Sequence, residues 1–206
     1  MPIIYPLALP VAPIFNAVRF TARAVVGVSE SPFTLQSQVQ EFAGQRMEVE
    51  ATLPAMTRAQ SEYWNAFMLK LNGRRGTFLL GDPAGKKPRG VSTGTPVVNG
   101  AGQTGNELLT TGWTNSITGI LLAGDYIQIG TGSSARLHKV LDDANSNASG
   151  QATLLLWPSL RSSPANSAPI VTSNTVGVFR LASNEMIWNI GEAINYGVTI
   201  AATEVV

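Results

Sequence analysis

Cysteine is absent from the 206 residues, which removes disulfide scaffolds, thiolate zinc sites and cysteine nucleophiles together. The fold must hold by packing alone. Charge is scarce as well: Asp, Glu, Lys and Arg make up 13% of the chain, about half the share of an average globular protein, while hydrophobic residues stand at an ordinary 44%. A surface covered by neutral groups is one that can end up against other subunits, and the composition favours that use over a free monomer's. The basic residues are scattered apart from short pairs such as Arg74-Arg75 and Lys86-Lys87, so no basic stripe tracks phosphates and nucleic acid is not an expected partner. No apolar run reaches the roughly 18 residues of a membrane-spanning helix, so membrane insertion is not expected either.

Proline is concentrated at the start. "MPIIYPLALPVAPIFNAVRF" is apolar but broken by Pro2, Pro6, Pro10 and Pro13, and no basic segment precedes the apolar part, so it makes a poor signal peptide. Prolines at that spacing favour an extended arm, which lies either across a neighbouring subunit or over its own domain.

Beyond the arm, alternation of period two marks strands. In "VRFTARAVVG", Val18, Phe20, Ala22 and Ala24 share one face; in "RMEVEATL", Met47, Val49, Ala51 and Leu53 oppose Glu48, Glu50 and Thr52. The strong helix signal is "TRAQSEYWNAFMLKLNG". Thr57 and Gln60 form a capping-box pattern, Trp64, Phe67, Met68 and Leu71 recur at helical spacing, and Gly73 stands where a C-terminal cap would, predicting a helix over 57–72. Thr77 to Leu80 reads as a short strand closed by Gly81, Asp82 and Pro83. The stretch "AGKKPRGVSTGTPVVNGAGQTGNE" is rich in Gly, Pro and Thr and reads as a connector. It leads into short strands such as "LLAGDYIQIG", entered through a Gly124-Asp125 turn, then Leu137 to Leu141 and Thr153 to Trp157. "TVGVFRLAS" closes this unit at about Ser183, and the final segment, with Tyr196, Val198 and Ile200 in strand order, returns to the first sheet. The expectation is a mainly β protein with one α-helix: a discontinuous β-sandwich over residues 1–82 plus 184–206, and a connector with an inserted small β-barrel or sandwich module over 83–183.

Candidates for chemistry are few. His138 could serve a Ser-His-Asp arrangement with Asp142 or Asp143, but no G-x-S-x-G elbow exists and the residue alternates inside "RLHKVL" as strand residues do. Asp143, Asn145 and Asn147 have the spacing of calcium ligands, yet the sixth and twelfth positions are Ala148 and Leu154, so a hairpin loop is the better reading. Gly100 to Gly105, "GAGQTG", lacks the Lys-Ser or Lys-Thr end of a phosphate loop. Trp113, Trp157 and Tyr126 can form either a core or a sugar-stacking face. No catalytic, cofactor or metal residues are assigned, and no enzyme activity is expected.

The ordered phrases "YWNAFMLKLNGRRGTFLLGDP", "GTPVVNGAGQTG", "GILLAGDYIQIG", "LHKVL" and "ATLLLWPSLR" resemble distal tail proteins of long-tailed, siphovirus-type bacteriophages, over most of the chain from about Ser61 onward. That resemblance implies a structural virion protein without catalysis, located at the tail tip and assembled in the bacterial host cytoplasm. It implies a homo-oligomeric ring, usually a hexamer, joining the tail tube protein to the tail-tip hub protein, with the tape-measure protein as a further neighbour. Some relatives carry a larger sugar-binding module, from which this small insertion departs; the alternative function, resting on Trp113 or Tyr126, is a carbohydrate-binding or other tail-tip module contacting the host cell surface.

Overall fold

The computed structural model describes residues 2–190 and 196–205. In chain order the elements are β1 (Ala17–Glu30), β2 (Ser37–Thr52), α1 (Arg58–Leu71), β3 (Phe78–Leu80), β4 (Gly94–Val98), β5 (Gly105–Trp113), β6 (Tyr126–Ile129), β7 (Arg136–Val140), β8 (Ala152–Leu160), β9 (Ile170–Val171), β10 (Gly177–Leu181), β11 (Trp188–Ile190) and β12 (Tyr196–Glu204). The protein is mainly β, with one α-helix among the described residues, as expected.

The first sheet runs β1-β2-β12-β10-β3, with β11 paired to β12. Helix α1 covers it. The Gln60 side chain accepts from the Thr57 backbone N–H at 3.1 Å, which satisfies one of the donors a helix start leaves free. At the other end Asn72, not Gly73, is the cap, in the left-handed conformation that Asn tolerates (φ 51°), and Gly73 follows it at φ 63°. The stripe of Trp64, Phe67, Met68 and Leu71 is buried against Met47, Val49, Ala51, Phe78, Phe179, Val198 and Ile200. Edge-on ring pairs Trp64–Phe67 and Phe67–Phe78, with centroids 5.8 and 5.7 Å apart, fix the packing angle.

The second sheet runs β4-β5-β8-β7-β6-β9, and its two ends meet: Val98 N–H donates to the Ala168 carbonyl, Ser167 N–H to the Val98 carbonyl, and Val97 bridges Pro169. A sheet that bonds its last strand back to its first is nearly a closed barrel and has little edge left to expose. Its interior is filled by Leu108, Trp113, Ile120, Leu121, Ile127, Val140, Leu154 and Leu156.

Three expectations are corrected. "TVGVFRLAS" does not close the inserted unit: β10 lies in the first sheet between β12 and β3, so the insertion's strands end at Val171 and the boundary at 183 moves back to the entrance of β10. Alternation marks a strand without saying which sheet it joins. Gly94–Val98 and "GAGQTG" are not connector but strand β4 and the β4–β5 turn, where Gln103 bonds the backbone of Asn99, Gly100 and Leu109. The two units are also not separate in their cores, because Tyr126 and Leu137 of the barrel are buried in the first unit's cluster. Where the chain leaves β3, Gly81 lies so close to the Thr175 carbonyl that any Cβ there would collide with it.

The N-terminal arm covers its own domain. Leu7 N–H donates to Thr77 O and Leu79 N–H to Leu7 O, each at 2.9 Å, which adds a one-residue parallel bridge beside β3. Tyr5, Leu7 and Leu9 pack on the first core.

Candidate functional site

Strands β1 and β2 are far longer than the sheet they start from. β12 pairs β2 only from Glu48 to Thr52, whereas β1 and β2 stay paired out to Glu30 and Ser37. The outer halves form a two-stranded ribbon that projects roughly 25 Å at about 3.3 Å per residue. Every residue from Thr21 to Glu30 and from Ser37 to Gly44 is exposed. Pairing breaks register at Ala24/Val25, where Ala43 and Gly44 have no partner on β1, so the ribbon bends at a bulge just beyond its root.

Both faces of this ribbon mix exposed apolar side chains with polar ones such as Gln38, Gln40 and Glu41. One face presents Val26, Val28 and Val39; the other presents Val25 opposite Phe42; and the tip carries Phe33 and Leu35, 94% and 72% exposed. A two-stranded hairpin in water is marginal without something packed on it, and among the described residues the outer edge of β1 has no strand beside it. Nearer the sheet the solvent face changes character. Arg19 faces Glu50 at 3.8 Å and Arg23 faces Glu48 at 3.3 Å, and hydrogen bonding from Arg46 holds the Glu48 carboxyl below its usual range.

The ribbon's root is clamped. Arg161, just past β8, donates to the Gln45 carbonyl at 2.6 Å and lies 3.0 Å from the Glu204 carboxylate, whose other oxygen accepts from Met47 N–H at 3.0 Å. Gln45 Oε1 in turn accepts from Ser159 N–H and its hydroxyl. These contacts take up the β2 backbone groups where β12 stops, which prevents the ladder from continuing along the ribbon. Burial pushes the Glu204 carboxyl up, opposed by Arg161 and by the Met47 N–H.

The residues considered from sequence are placed elsewhere. His138 is buried on β7 and bonds the Pro158 carbonyl at 2.7 Å through Nδ1, not Asp142 or Asp143. The side-chain oxygens of Asp143, Asn145 and Asn147 accept from the backbone amides of Ala123, Gly119 and Ser149, so they hold loops together. Trp113 is in the barrel core with its indole N–H on Thr110 at 2.8 Å, and Tyr126 is buried under Lys139, so neither offers a stacking face. Asp125, the turn residue of "AGDY", does the most that sequence reasoning missed. Its buried carboxylate accepts from the amides of Arg89, Gly90 and Leu122, knotting the connector to the barrel.

No protein-family model matches the chain, and no curated protein matches it.

Proposed function

We propose that the chain is a structural subunit that assembles with copies of itself into a closed ring, the distal tail ring of a long-tailed bacteriophage, joining the tail tube to the tail-tip hub and catalysing no reaction. The observation that carries this reading is the projecting ribbon, whose exposed valines, Phe33, Leu35 and Phe42 and whose free edge have nothing to pack on among the described residues. Apolar surface of that extent is ordinarily covered by a partner. A ring supplies the partner: a heterologous interface sets one patch of each subunit against a different patch of the next, and closure leaves neither exposed. The low charge and the resemblance of the ordered phrases support the same conclusion, and the resemblance supports six copies. The N-terminal arm, which could have lain across a neighbouring subunit, packs on its own domain instead and leaves the ribbon as the candidate interface.

The mass of the assembled species, measured by light scattering at several concentrations, tests this reading. The expected result is a single ring-sized species for the native chain and a shift to monomer when Val28, Phe33 and Val39 are replaced by Ser. A ring that persists unchanged in the triple variant would contradict the assignment of the ribbon to the interface.

A further inference from the structure

A cavity of about 350 Å³ opens where the end of β8 and the following loop pass over β6 and β7. Ile129, Leu160 and Ala168 form its apolar wall, and Arg136, His138 and Arg161 its polar one. The polar wall is unusual in two respects. First, it carries an excess of positive charge: Arg161 is paired with Glu204, but Arg136 has no acidic partner among the described residues, and its Nη1 is satisfied only by the carbonyls of Ser133 and Ala135. Second, it contains an open lone pair. The Pro158 carbonyl can only accept, so His138 Nδ1 carries the proton in that bond. Burial, with Arg161 and Arg136 nearby, lowers the His138 pKa to about 4, so near neutral pH the imidazole holds no second proton. Nε2 is therefore an acceptor, and the one hydrogen bond of the imidazole among the described residues is the Nδ1 bond to Pro158, which leaves Nε2 to whatever occupies the cavity that His138 lines.

These features select a ligand. With Nη1 on the two carbonyls, the Nε and Nη2 donors of Arg136 are left for a carboxylate, which the planar guanidinium edge binds with two parallel hydrogen bonds. A bare imidazole nitrogen requires a donor, so a simple anion would set its lone pairs against that of Nε2, whereas a hydroxyl would satisfy it. The volume lies at the small end of ligand pockets and accommodates one ring of sugar size against the apolar wall. We propose that this cavity binds a hydroxylated carboxylate of the size of a single sugar residue, its carboxylate on Arg136 and a hydroxyl on His138 Nε2. The source is either an acidic sugar, a uronic acid, or a small hydroxy acid, and the two are distinguishable.

The experiment follows the imidazole nitrogens of the full chain, labelled with ¹⁵N-histidine, while D-glucuronate, D-glucose, glycerate and acetate are added separately. Because His138 is the chain's one histidine, its signals need no assignment. Glucuronate is expected to shift the Nε2 resonance and to bind about tenfold or more tightly than glucose, the worth of a charge-assisted hydrogen bond. Replacing Arg136 by Gln is expected to cost a similar factor, and Arg136→Lys to restore part of it, with melting temperature and the free Nε2 signal as controls for folding. Glycerate binding as tightly as glucuronate supports the site and identifies the small acid as its occupant. An Nε2 resonance that no carboxylate moves, acetate binding as tightly as glucuronate, or an affinity indifferent to Arg136→Gln would each overturn the proposal.

Discussion

At the scale of single residues, His138 and Trp64 carry the sharpest consequences. His138 is held neutral by burial, with a pKa of about 4 against 6.5 for a free imidazole. Because the folded value is the lower one, its contribution to stability is full above pH 6.5 and is lost as pH falls toward 4, where the unfolded chain takes up a proton that the folded chain refuses. A gap of that size is worth roughly 3 kcal/mol. Arg136, Arg161 and Glu204 surround the same region, and the raised pKa of Glu204 acts in the opposite direction, so the clean observable is a difference. Urea denaturation from pH 7.5 to 4 should show the native chain losing stability more steeply than His138→Gln; parallel curves would refute the assignment. Trp64 is 1% exposed and packs on Phe15 and Phe67, so Trp64→Ala should destabilise by about 3–5 kcal/mol, read as a fall in melting temperature. Its indole N–H is buried with no acceptor among the described residues, and removing that orphan donor with the ring places the cost at the low end of the range. An unchanged melting temperature would mean that the helix stripe does not hold the sheet. The helix was legible because its signals are local: a capping pair three residues apart and a stripe at helical spacing. Asp125 was not, because its three amide partners include two from 35 and 36 residues away, a meeting that only the folded chain creates.

At the scale of elements, the arm takes the second of its two expected places, over its own domain, and the ribbon is the element left without cover. Tyr5, Leu7 and Leu9 pack on the first core and Tyr5 donates to the Lys70 carbonyl at 2.6 Å, so deleting residues 2–9 should cost the subunit at least about 2 kcal/mol in chemical denaturation. An arm that lies on a neighbouring subunit instead would leave the isolated subunit's stability unchanged when removed. Sequence showed that the arm is extended, which proline spacing dictates, but not which surface it meets. The ribbon was half legible: alternation through Arg46–Leu53, with Met47, Val49 and Ala51 buried, and through Val18 and Phe20 opposite it, half-buried, marks its root, whereas the alternating Ala22 and Ala24 are exposed. Beyond the root both faces are exposed and mix apolar with polar residues, as in Val26 opposite Glu41 and Gly27 opposite Gln40, so no period of two stands out. Strand patterns read from sequence report one-sided burial, and the ribbon has none within the subunit.

At the scale of the whole molecule, the two sheets are one folding unit in spite of the insertion between them. Tyr126 and Leu137 of the barrel fill the first core, Arg161 and Ser159 hold the ribbon's root, and Asp125 fastens the connector. Calorimetry of the full chain should therefore show a single cooperative transition, and two separable transitions would show that the barrel folds independently. The mainly β architecture, the single helix and the return of the last strand to the first sheet were all readable from pattern. The placement of β10 was not, because strand partnership is a property of topology. Under the proposed function, this topology presents its ribbon to the next copy of the chain in a closed ring. The measurement that tests it most directly is a cryo-electron microscopy reconstruction of the assembled particle. The expected density is one closed ring of identical subunits, six in number, at the end of the tail tube, with Phe33 and the valines of the ribbon covered by the adjacent subunit. A single copy, a filament along the tube, or a ring whose ribbons stand free in solvent would contradict it.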